Sequence, residues 1–189
     1  MKDSAVTINM ADIYRFLALS MHYPDPAWLN DEYFSLLSLF LDELGWQEER
    51  AAIEPLMTGT ADALEALQVE HTRLFINAVP HVLAPPYGSI YLDSSGVFYG
   101  VSAEKTRSFY REKGCDLAVA DDIPDSLVSE LQFLAFLLQH GQEADEQLFL
   151  RQLFRPWFTR FRERVQQEAR HPFYGVVVRM IDFFTMEDE

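Results

Sequence analysis

Apolar positions recur at three- and four-residue spacing along most of this chain, the period of a helix with one buried face. From Met10 to His22, Ile13, Phe16, Leu17 and Ser20 share a stripe, flanked by Tyr14 and Met21, and Tyr23-Pro24-Asp25-Pro26 ends it. Trp28 to Leu44 repeats the pattern through Phe34, Leu37, Leu41 and Leu44, with Gly45 as its stop. Gln47 to Met57 and Ala61 to Ile76 follow, separated by Thr58-Gly59; the second carries Ala63, Leu64, Leu67, His71, Leu74 and Phe75 on one face. Ser102 to Lys113 has Glu104 in its first turn and Gly114 at its end. Pro124 to His140 is the most regular stripe, with Leu127, Leu131, Leu134 and Leu138 in phase. Pro124 suits its first turn, Asp122 its cap and Gly141 its stop. Glu143 to Arg155, Pro156 to Ala169 and Pro172 to Thr185 close the chain, and the acidic tail is expected to fray. The pattern predicts an all-α fold, a single globular domain of about eight to nine helices, with residues 114–123 as a possible hinge.

The helical pattern fails around residues 77–101. Here Pro80, Pro85 and Pro86 interrupt a stretch that is too apolar and too long for an ordinary surface connection. Prolines stiffen the backbone and remove donors, so this loop cannot join a sheet interior. Pro85-Pro86-Tyr87-Gly88-Ser89 reads equally as a cap on a helical bundle or as a rigid binding surface, which loses little entropy when used. Tyr91-Leu92-Asp93 and Val97-Phe98-Tyr99 flank Ser94-Ser95-Gly96 and permit a hairpin. A lone hairpin is marginal in water, so an extended loop is the expectation for 89–100.

Composition narrows the function. The chain has 189 residues and a formal net charge of −15. Such a surface repels nucleic-acid phosphates and anionic lipids, and it favours a basic partner or simple solubility. Cys115 is the one cysteine, so no internal disulfide or Cys-x-x-Cys pair exists. No segment reads as a signal peptide or membrane span, which points to a soluble cytoplasmic protein. His22, His71, His81, His140 and His171 have no metal-ligand spacing. Asp116 beside Cys115 disfavours a thiolate, and neither a serine elbow nor a phosphate loop is present. No catalytic residue, metal ligand or cofactor is therefore assigned. Ile123-Pro124-Asp125-Ser126, opening the most regular helix, is a second patch; alone it reads as ordinary capping.

Taken in order, Glu70-His71-x-x-Leu74-Phe75, Pro85-Pro86-Tyr87-Gly88-Ser89-x-Tyr91, Tyr110 with Gly114, an acidic connector, and Pro124-Asp125 before Leu131-x-Phe133-Leu134 resemble the TorD/DmsD family of redox-enzyme maturation chaperones, with NarJ-type proteins as distant relatives. Leu17-Ala18-Leu19 and Tyr23-Pro24 resemble that family's first helix and its exit. The resemblance implies an all-helical fold and a chaperone, not an enzyme. It implies a partner too: the twin-arginine signal peptide and apo-form of a molybdenum-cofactor oxidoreductase, held back from export until the cofactor is inserted. Carried over by position, the partner-binding residues are Leu74, Phe75, Pro86, Tyr87, Gly88, Ser89, Tyr91, Asp125 and Ser126. Ser126 stands where the family commonly has histidine, and Tyr87 where relatives often have tryptophan.

The chemistry of such a peptide, basic and then apolar, is complementary to an apolar groove in an acidic surface. Leu74, Phe75, Pro86 and Tyr87 would supply the groove, and Asp125 would attract the arginines. Two other classes stay open. One is a helical protein binding nucleotides or small molecules, since the resemblance allows a guanine nucleotide. The other is an enzyme using the carboxylates of residues 121–125. The protein is expected as a monomer or as a dimer exchanging helices about 114–123.

Overall fold

The computed structural model describes residues 8–57, 61–78, 81–93, 98–115 and 123–186. Among them the secondary structure is helical, with one isolated antiparallel bridge between Tyr87 and Ser126. The chain forms two compact units. One is built on the first helix and Tyr87–Phe158, the other on His22–Pro86 and Thr159–Met186.

The first unit contains α1 (Met10–Ser20), α5 (Gly88–Leu92), α6 (Val101–Glu112), α7 (Leu127–Gln139), α8 (Glu143–Phe149), a π-helical turn (Leu150–Phe154) and the start of α9 (Arg155–Glu168). Helix α1 starts with a capping box: Asn9 accepts from the Asp12 N–H, and the Asp12 carboxylate accepts in return from Asn9. It packs on α7, burying Tyr14 and Leu17 with Leu131 and Leu134. The Tyr14 hydroxyl donates to Glu146 at 2.5 Å. Phe133 anchors an aromatic cluster, with Tyr110 at 4.2 Å and Phe149 at 5.0 Å between ring centres.

The second unit contains α2 (Asp31–Glu43), α3 (Gln47–Met57), α4 (Ala61–His71), a π turn (Thr72–Ile76), the remainder of α9, and α10 (Pro172–Thr185). Helix α10 is buried over most of its surface through Phe173, Tyr174, Val177, Val178, Met180 and Ile181, with Arg179 and Phe183 left at the surface. Glu70 closes the corner before it. Its carboxylate accepts from Arg73 Nε at 2.8 Å, from the Arg170 N–H at 2.6 Å and from the His171 N–H at 3.2 Å. Burial pushes the Glu70 carboxyl up, but these bonds and the Arg73 charge outweigh it, and the group sits below its ordinary range.

The expected stops at Gly45, Gly114 and Gly141 are real: all three have φ between +66° and +74°, the left-handed exit that glycine takes without strain. The other departures from expectation have local causes. The fourth helix leaves α geometry at Thr72, where the Asn77 N–H bonds back to the Thr72 carbonyl at 2.8 Å. The helices expected at 143–155 and 156–169 are one run, with a π turn placed just before Pro156, which cannot donate to a preceding carbonyl. Helix α7 begins at Leu127, not Pro124. Ser126 is its cap, accepting from the Ser129 N–H at 3.1 Å; the Asp122 proposed for that role lies outside the described residues, as do most of the 114–123 hinge and the end of the acidic tail.

Candidate functional site

The proline loop does not run on as an extended segment after Ser89. It turns into the five-residue helix α5, for a reason that lies 36 residues away. The Asp125 carbonyl accepts the Gly88 N–H at 2.8 Å, and the Asp125 carboxylate accepts the Ser89 N–H at 2.5 Å. Asp125 therefore caps α5 as an N-cap residue would, but from another part of the chain. Together with the Tyr87–Ser126 bridge, these bonds fasten Tyr87-Gly88-Ser89 to the turn before α7. That turn is fixed in its own right, because the Tyr110 hydroxyl donates to the Pro124 carbonyl at 2.7 Å.

Trp157 lies beneath the loop, fully buried. Tyr91 stacks on it with ring centres 5.8 Å apart. A Cβ on Gly88 would stand 3.1 Å from Trp157 Cδ1, so glycine is needed there for close approach. Trp157 Nε1 donates to Glu130 Oε2 at 2.9 Å. Glu130 is 1% exposed, and burial pushes its carboxyl well above the ordinary range. The Trp157 bond opposes that shift and the negative charge of Asp125 adds to it. The direction favours the protonated form of Glu130, whose Oε2 holds the indole that carries the loop.

The residues expected to bind a partner divide on this geometry. Tyr87, Gly88, Ser89, Tyr91, Asp125 and Ser126 come together in one unit. Of these, Tyr87 and Ser126 keep partial exposure, while Gly88, Ser89, Tyr91 and Asp125 are buried. Asp125 is 1% exposed and engaged by the loop, so it holds the loop and does not present a surface carboxylate to arginines. Ser126 is occupied as the α7 cap. Pro86, half-buried, ends the stretch belonging to the other unit.

Leu74 and Phe75, expected as a groove wall, are core residues of that second unit at 0% and 5% exposure. Leu74 lies in the last turn before the helix ends at Ile76, so its carbonyl lacks a partner within the helix; it accepts the N–H of the buried Ala84 at 2.8 Å and ties down the loop's first half. Phe75 packs its edge on Tyr174 at 5.0 Å.

Sequence reading overlooked Glu130 and Trp157. Glu130 had a legible signal, a lone acid three residues after Leu127 and one before Leu131 on the most apolar stripe in the chain. Trp157 had none, because its partners come from α5 and α7. Among the described residues, no group of three or more His, Cys, Asp or Glu side chains is placed to hold a metal ion.

Comparison with known proteins decides the family. Residues 31–163 match the family described as nitrate reductase delta subunit. The Tat proofreading chaperone DmsD of Salmonella paratyphi A is 30% identical over 179 residues, covering 91% of this chain and 82% of that protein. The chain belongs to the TorD/DmsD family of redox-enzyme maturation chaperones. Within that family, the chaperone protein TorD of Vibrio vulnificus is 25% identical over 195 residues, covering 82% of this chain and 90% of the relative. The TorD/DmsD-type fold also matches a solved structure from Archaeoglobus fulgidus described as a redox enzyme maturation protein. The TM-score is 0.67 at 24% identity, with 98% of this chain and all of that chain covered.

Proposed function

We propose that this TorD/DmsD-family chaperone binds the twin-arginine signal peptide of a molybdenum-cofactor oxidoreductase in the cytoplasm and holds the apoenzyme until its cofactor is inserted. The observation carrying this reading is the clamped loop. Relatives named as Tat proofreading chaperones share the family, and here most residues that resemble the family's motif build one pinned element, Tyr87 to Tyr91 bonded to Asp125 and Ser126, with Tyr87 partly exposed on it. Preorganisation of this kind lowers the entropic cost of holding an extended peptide. The net charge of −15 favours encounter with a basic leader. No helix among the described residues is long and apolar enough to cross a membrane.

In this reading Asp125, Glu130 and Trp157 position the loop, and the peptide meets the exposed side of Tyr87. The test is isothermal calorimetry with synthetic twin-arginine leaders of molybdenum-cofactor oxidoreductases. Saturable binding that weakens for Tyr87→Ala and vanishes for a leader with both arginines replaced by alanine is the expected result. No heat with the intact leader, or binding indifferent to both changes, refutes the proposal.

A further inference from the structure

Next to the clamped loop, the first unit carries a run of apolar side chains that its core does not use. Phe98 is 48% exposed, Tyr99 40% and Val101 69%. Phe98 sets its edge against the Tyr87 ring at 4.9 Å, so the run continues directly from the loop. Tyr99 holds φ at +64°, a backbone region disfavoured for a residue with a Cβ. Its ring is covered on one face by the Arg107 guanidinium at 4.9 Å. The C-terminal end of the run is fixed, because Asp93 accepts from the Ser102 hydroxyl at 3.0 Å and leaves no room for a Cβ at Gly100. Val101 then enters a cleft of about 450 Å³ along α6, with Phe109 and Leu153 as its other apolar lining and Glu104, Lys105 and Glu112 among its polar lining. Glu104 and Glu112 are eight residues apart on α6, roughly 12 Å along the helix axis.

We infer that the twin-arginine leader lies along this surface, its apolar run on Tyr87, Phe98, Tyr99 and Val101 and its arginines at Glu104 and Glu112. The inference rests on the signal-peptide reading above and adds to Tyr87 five residues that the motif resemblance does not include. Three observations select this occupant. The aromatic wall is continuous with the clamped loop. A core offers no reason to hold an exposed tyrosine in a left-handed conformation, whereas strain of this kind collects at ligand clamps. The apolar wall leads into a cleft with two carboxylates and one amine, the order of chemistry that a basic-then-apolar peptide presents in reverse.

The test measures binding of a synthetic twin-arginine leader of about 25 residues to the wild-type chain and to Phe98→Ala, Tyr99→Gly and the double variant Glu104→Gln/Glu112→Gln. Phe98→Ala and Tyr99→Gly are each expected to weaken binding about tenfold at any salt concentration. The double variant is expected to weaken it about fivefold at low salt, the difference shrinking as ionic strength rises. Tyr99→Gly also separates function from structure. A tyrosine kept for binding gives a variant whose melting temperature is unchanged or higher, since glycine accepts the backbone angle. A tyrosine kept to seat Arg107 gives a lower one, and that result overturns the inference. If the wild type binds and the exposed-residue variants bind equally well, the inference fails while the signal-peptide function stands. If the wild type does not bind, both fall.

Discussion

Glu130→Gln is predicted to make this chaperone more stable at neutral pH, by a margin that grows as pH rises. Glu130 is fully enclosed beside Trp157, with burial and the Asp125 charge raising its carboxyl well above the ordinary range. The sign follows from linkage. In the unfolded chain the group ionises near pH 4.3. Between that pH and its raised folded value, the native state holds a proton the unfolded state has released, and stability falls as pH rises. The Glu130 contribution is complete below the unfolded value and is lost on the way up through the folded one. One proton corresponds to about 1.4 kcal/mol per pH unit inside that window. Glutamine has the same shape, keeps an acceptor for the Trp157 N–H and does not titrate. The assay is urea unfolding of both proteins at several values between pH 5 and pH 7.5, plotted as the stability difference. Groups that do not interact with Glu130 cancel in that difference, so it is expected to climb by up to about 1.4 kcal/mol per unit in favour of glutamine. A difference that stays flat, or that falls with pH, refutes a neutral Glu130 and shows that the native state tolerates its charge.

Three further outcomes are expected. Gly88→Ala replaces a glycine in α5, a change that ordinarily helps a helix, but its methyl would meet Trp157 at 3.1 Å. With the indole fixed, a loss of about 1–3 kcal/mol in chemical denaturation and altered tryptophan fluorescence are expected; a stabilised variant contradicts the close contact. Glu70→Gln places an amide where Arg73 and two backbone N–H groups donate, and is expected to cost about 2–4 kcal/mol at pH 7. Because the folded Glu70 carboxyl lies below its unfolded value, its contribution is full above about pH 4.3 and drains as pH falls through the folded value, so wild type and variant should converge in acid melts. Ser126→Ala removes the α7 cap and is expected to cost about 1 kcal/mol, with Ser126→Asp recovering most of it in thermal melts.

Local chemistry written in the sequence determined the helices and most of their ends. The left-handed glycines and helix-opening prolines act within a turn of their own positions, so α3 and α10 were legible to the residue and α1 to within two, whereas α7 starts three residues later than its proline suggests. The family could be anticipated for a similar reason, since the ordered motifs are properties of the chain. What tertiary structure alone decided is how the proline loop is held. Helix α5 exists because a carboxylate 36 residues away accepts its Ser89 N–H, and no periodicity in the loop announces that bond. Leu74 and Phe75 matched a binding motif by position, yet burial in the second unit makes them supports, with the Leu74 carbonyl at the helix end taken by the Ala84 N–H, a bond that the apolar pattern does not encode. Asp125 was expected to face arginines and instead faces the loop. Phe98, Tyr99 and Val101 are ordinary apolar letters in the sequence, and only the folded chain shows them exposed beside Tyr87. A sequence states which groups prefer to be buried or bonded. Which of them succeed depends on contacts between distant segments, and in this protein those contacts fix the loop and leave the aromatic wall at the surface.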